Sequence, residues 1–123
     1  MRSNPGIVRT LETETCADKL AQFFPDAAPV RIPVQVTTLR IGATSLKENT
    51  LVEFVATDHA IFACSLPLEF DDRVRLTPTA QGRDHKQRSK AADGKVIAVQ
   101  YHEGHKAVAV RFLGGCLDWV SET

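Results

Sequence analysis

The sequence carries no excess of either charge. Lysine plus arginine and aspartate plus glutamate each number 15 in 123 residues, so the formal net charge is zero. A neutral chain has little general attraction for nucleic acid or an anionic membrane, and any anion binding must come from a local cluster. No apolar run is long enough to span a bilayer. The first residues, Met1-Arg2-Ser3-Asn4-Pro5, lead into mixed polar sequence without the apolar stretch of a secretory signal, so the expected location is the cytoplasm. Cysteine is scarce and odd in number. Cys16, Cys64 and Cys116 lie about fifty residues apart, which forms neither a metal knuckle nor a CxxC redox pair. Free, largely buried thiols in a reducing compartment are the preferred reading.

Catalytic and nucleotide signatures are missing too. The chain has no Walker loop, no GxGxxG after a strand, no HExxH and no serine nucleophile elbow. His102 and His105 could point the same way at a hairpin mouth, but two imidazoles are too few for a metal, and a solvated turn is the preferred reading. Cys64 with His59 as base would need an accessible thiolate. Cys64 lies among Ile61, Phe62 and Leu66, where burial raises a thiol pKa, so an inert core position is preferred. Asp71-Asp72 falls in a turn, where aspartate is common for backbone reasons. No enzyme activity, metal or resident cofactor is expected.

What is present is one domain of ordinary globular composition, 43% hydrophobic and 24% charged. Its length can bury a core without metal or disulfide staples. Residues 10–24 read as a helix. Thr15 and Asp18 have the spacing of a capping box, Cys16, Leu20, Phe23 and Phe24 share a face, and Pro25 and Pro29 end it. That stripe should pack on the body of the domain, with a partner-binding helix as the alternative.

From Val30 the period becomes two. Val30, Ile32, Val34 and Val36 form a half-buried strand; Pro33 argues for an edge or a bulge. Leu39 and Ile41 have the opposite parity, which places a bulge near Thr37-Thr38. Residues 42–49 read as polar loop. Further strands are expected over 51–56, 60–65 and 73–76, and Asp93-Gly94 reads as a turn. The last hairpin pairs 95–101 with 106–112 across His102-Glu103-Gly104-His105. An even loop puts Ile97, Val99 and Tyr101 on one face with Val108, Val110 and Phe112. Ala98, Gln100, His102, His105, Ala107, Ala109 and Arg111 take the other. Trp119 is expected to fold back over one end of the core. The outcome is a mainly β domain: an N-terminal arm and helix over 1–29 and a six-stranded antiparallel barrel over 30–120.

The remaining signal is basic. Residues 83–90 carry Arg83, Lys86, Arg88 and Lys90 against Asp84. A solvated loop is the preferred reading and a phosphate-binding flap the functional one, since guanidinium holds phosphate oxygens through paired bonds. Aromatic residues do not interleave with these charges, so no nucleic-acid platform is expected.

Three segments together resemble a known family. Leu66-Pro67-Leu68-Glu69-Phe70-Asp71-Asp72-Arg73-Val74-Arg75-Leu76 is similar to the PilZ segment in which a Pro-Leu pair precedes a turn and a V-x-L strand. Residues 94–99 and 107–114 are similar to the closing PilZ hairpin, and residues 31–36 to its first barrel strand. The resemblance covers residues 30–115. It implies a six-stranded barrel which, in many members, binds the bacterial second messenger cyclic di-GMP through RxxxR and [D/N]xSxxG motifs. No RxxxR occurs in this chain, and the second motif lacks its Ser and Gly in either alignment. Arg31 alone stands near the expected place of the arginine pair. The implied function is a regulatory or adaptor module in bacterial signalling, acting mainly on a protein partner. The alternative is a cyclic di-GMP receptor using Arg31, Arg83, Lys86 and Arg88. Neither reading involves nucleic acid or a membrane.

Overall fold

A computed structural model describes residues 15–79 and 91–114. A short helix, α1 (Cys16–Ala21), precedes six strands: β1 (Ala28–Thr38), β2 (Lys47–Val55), β3 (His59–Ala63), β4 (Arg73–Pro78), β5 (Ala92–His102) and β6 (His105–Phe112). All pairings are antiparallel, and the strands close into a barrel in the order β1-β2-β3-β6-β5-β4. The fold is thus the mainly β, six-stranded barrel with a helix that the sequence pattern implies. Trp119, Cys116 and the basic run 83–90 lie outside the described residues, as does the first part of the expected helix.

The capping box forms as the spacing implies. Thr15 Oγ1 accepts from the Asp18 amide at 3.0 Å, and Asp18 Oδ2 accepts from the Thr15 amide at 2.8 Å. The helix ends at Ala21 rather than Phe24. Phe23 and Phe24 donate three residues back, to Leu20 and Ala21, in a tightened last turn. Phe24 precedes Pro25, whose ring disfavours α conformation in the residue before it.

Alternate residues of each strand fill the barrel. Val34, Val36, Val52, Phe62, Val74, Leu76, Val96, Val108 and Val110 are fully buried and form one cluster with Leu68. Pro33 is accommodated without an open edge. Its carbonyl accepts from the Thr79 amide at 2.9 Å, so its missing N–H faces the place where the β1–β4 ladder stops, between Val34 and Pro78. Asp93 and Gly94 are not a turn. They lie inside β5, where Gly94 pairs with Val74 on one side and Phe112 on the other.

Three bulges set what faces outward. None falls at Thr37-Thr38: β1 simply ends there, with Thr38 buried and Ile41 fully exposed in the following loop. The β1 bulge sets Val30 and Arg31 opposite Glu53, between the pairs Pro29–Phe54 and Ile32–Val52. A second bulge lies between Val52 and Phe54, against β3, and a third between Val96 and Ala98, against β6. The bulges in β2 and β5 each shift the inside–outside alternation by one residue, whereas in β1 Val30 and Ile32 keep the inward parity of Val34 and Val36. Val99 therefore pairs with Val108 as the hairpin pattern requires, but Val96, not Ile97, pairs with Val110. Ile97 is turned outward.

The outward residues have a cover. Cys16, Ala17 and Leu20 of α1 form a second buried cluster with Ile61, Ala107 and Ala109, joined by Phe54, Ile97 and Ala98. Small residues on β5 and β6 let the helix approach closely. Cys16, Leu20 and Phe24 of the expected helix stripe and much of the outer hairpin face are thus covered by one another, whereas Phe23, beyond the helix end, is 72% exposed. Burying Leu20 contributes about 2 kcal/mol.

Candidate functional site

Glu48 and Thr50 continue the inward parity of Val52, because they pair with Val36 and Val34. Tyr101 and Lys106 continue the inward parity of Val99 and Val108 and pair with each other. These positions lie beyond the hydrophobic core, at one mouth of the barrel. With Cys64, Ser65 and the turn His102–His105 they line an open pocket of about 490 Å³. Such a pocket at a barrel mouth is a common ligand position.

Glu48 is held in place. Its Oε1 accepts from the Ser65 amide at 2.9 Å and lies 3.8 Å from Cys64 Sγ; its Oε2 accepts from Ser65 Oγ at 3.3 Å. Thr50 Oγ1 donates to the Ala63 carbonyl at 2.7 Å. Lys106 Nζ donates to the Leu66 carbonyl. The Cys64 thiol is pushed up to about 11, first by burial and further by Glu48, while the Leu66 backbone and Lys106 act the other way. Cys64 therefore remains protonated at neutral pH and is a poor nucleophile.

His59 is not its base. His59 starts β3 and Cys64 follows its end, so five residues of extended chain, roughly 16 Å, separate them. His59 Nδ1 instead lies 2.8 Å from Asp58 Oδ1, and this contact holds the Asp58 carboxyl below its ordinary range. The imidazole packs against Phe24, ring centroids 5.1 Å apart, with its Nε2 buried and without a hydrogen-bond partner.

His102 and His105 pair across a two-residue turn in which Glu103 and Gly104 both have positive φ, 52° and 82°. That is the backbone of a type I′ turn. Among the described residues, no group of three or more His, Cys, Asp or Glu is placed to hold a metal. Among them, too, no helix is long and apolar enough to cross a membrane.

Arg31 is exposed on the outer wall, in the β1 bulge. It acts on Glu53, whose carboxyl is raised by burial and by Asp18 and lowered by Thr15 and Arg31. Arg83, Lys86 and Arg88 lie outside the described residues. Thr79, which leads toward them, is bonded to Pro33, two residues from Arg31.

The loop between β3 and β4 is tied to the start of the β1–β2 loop by Arg40. Its Nη2 donates to the Pro67 carbonyl at 2.8 Å and to Asp72 Oδ2 at 2.9 Å. Ile41 and Leu46, in the β1–β2 loop, and Phe70, in the tied loop, are exposed apolar side chains. The mouth is not evident in the sequence pattern because Glu48 falls in the polar stretch 42–49, which reads as a loop. The signal available was the period-two series Glu48, Thr50, Val52, which runs on from the buried part of β2.

Comparison of the sequence with protein-family models and with curated proteins finds no match.

Proposed function

We propose that this chain is a PilZ-like regulatory or adaptor module of bacterial second-messenger signalling, working in the cytoplasm mainly through protein contacts. The observation that carries this reading is the Arg40 tie. It braces the Pro67–Asp72 stretch, which resembles the PilZ segment, against the start of the β1–β2 loop. The two loops it joins expose Ile41, Leu46 and Phe70. Exposed apolar side chains on neighbouring, braced loops favour a protein partner. The test is capture from bacterial lysate with the wild type and an Ile41→Glu/Phe70→Glu variant. A protein retained by the first and lost by the folded second supports the reading; a wild type that retains none under mild conditions argues against it.

A second reading, cyclic di-GMP binding through Arg31, Arg83, Lys86 and Arg88, is favoured by the Thr79–Pro33 bond, which holds Thr79 to a β1 residue two positions from Arg31. Calorimetry with cyclic di-GMP decides it. Binding lost in Arg31→Ala supports it, and heats equal to buffer dilution remove it.

A further inference from the structure

The barrel mouth holds two charges of opposite sign that do not neutralise each other. Glu48 is fixed by Ser65, and Lys106 by the Leu66 carbonyl. Neither makes an ion pair among the described residues. Both line the same open pocket and act on the same thiol, Cys64. Each retains bonding capacity. A carboxylate accepts at about four lone-pair sites, and an ammonium donates three bonds, of which Lys106 uses one among the described residues.

These facts narrow the ligand. A polyanion entering the pocket meets the fixed Glu48 carboxylate, and a polycation meets Lys106. Like charges in a partly desolvated site are costly. A neutral apolar ligand would strip water from both charges and give nothing back. A molecule carrying one cation and one anion satisfies both. Tyr101, inward in parity yet 69% exposed, offers a ring at the rim for an apolar or aromatic body. Glu103, on the turn, projects into solvent with its side chain 80% exposed, where its charge is screened.

We propose that the barrel mouth binds a small amino-acid-like zwitterion, its ammonium on Glu48, its carboxylate on Lys106 and its side chain against Tyr101. The site shares the β3–β4 loop with the Arg40 tie through Ser65 and Leu66, but Arg40, Ile41, Phe70 and Arg31 take no part in it, so its variants and those of the adaptor reading fail separately.

The test is an NMR titration of the ¹⁵N-labelled full chain with L-phenylalanine. Two analogues each lack one charge: phenylalanine amide has no carboxylate and N-acetylphenylalanine no ammonium. The Ser65 amide bonds Glu48 directly and reports on that end; the Lys106 amide reports on the other. Saturable shifts at both are expected with L-phenylalanine, and about tenfold weaker binding of each analogue. In Glu48→Gln the preference over N-acetylphenylalanine should vanish, and in Lys106→Gln the preference over the amide. If either variant fails to fold, the analogue comparison on the wild type decides alone. The proposal is overturned if shifts do not saturate by about 10 mM L-phenylalanine, or if either analogue binds as tightly.

Discussion

Gly94 of β5 lies so close to β6 that a Cβ on it would stand 2.2 Å from Val110 Cγ1 and 2.9 Å from the Arg111 carbonyl oxygen. The first contact is with a side chain buried in the core, and the second is with backbone, which cannot step aside. Gly94→Ala should therefore cost about 3 kcal/mol, measured by urea unfolding. Adding Val110→Ala should not restore stability, because the Arg111 carbonyl remains and a cavity is opened. A Gly94→Ala variant as stable as the wild type would contradict this packing.

Glu103 occupies the first central position of the type I′ turn with φ +52°. A side chain of that size is disfavoured in the left-handed region, where Asn and Gly are at ease. Glu103→Asn should raise stability by about 0.5–1 kcal/mol. The His102–Glu103 contact that it removes, at 3.8 Å and exposed, contributes little. A fall in melting temperature would count against the turn assignment.

Asp72 has three partners: the Glu69 amide at 2.9 Å, the Arg40 guanidinium at 2.9 Å and, through its own carbonyl, the Val96 amide. Burial pushes its carboxyl up, but the Glu69 amide and Arg40 together outweigh that, and it ends below its ordinary range. A lowered folded pKa gives stability that is present above the unfolded value, near 4, and is lost as pH falls through the folded one. Asp72→Asn should cost about 1–2 kcal/mol at neutral pH. The gap from wild type should shrink as pH falls below the unfolded value. Asp93, held down chiefly by Arg75 at 2.7 Å, titrates in the same direction and remains in both proteins.

Cys64 gives the opposite limb. Its folded pKa of about 11 lies above that of a free thiol, so the folded state keeps a proton that the unfolded state releases. Stability should fall as pH rises from about 9 to 11, by an amount on the order of 2 kcal/mol. In Cys64→Ala that part of the slope should disappear. Native Cys64 should also resist alkylation at neutral pH until the chain is unfolded. Rapid alkylation of the folded protein would show that the thiol is neither buried nor raised.

Much of the barrel was legible because its signals are local. Period-two apolar residues in β1 and in the last hairpin mark the inward face directly, and the Thr15–Asp18 box marks the helix start. The bulges were not legible. The sequence 51–56 is apolar on both faces, and nothing within it says that Glu53 and Phe54 both turn outward; that depends on β1 and β3 as neighbours. Gly94 carried the local mark of a turn, while its real constraint comes from β6 across the sheet. Arg31 could be singled out by charge, but its Glu53 neighbour follows from the bulge that sets them opposite each other.

The sequence by itself determined a small β domain with a capped helix and no marked catalytic centre, because alternation and capping act over two to four residues. Only the tertiary structure decided that the helix closes over the outer hairpin face, and that Glu48 and Lys106 meet at one mouth. Those pairings join residues dozens of positions apart. They arise from bulges and barrel closure, which depend on how all six strands satisfy one another's backbone bonds.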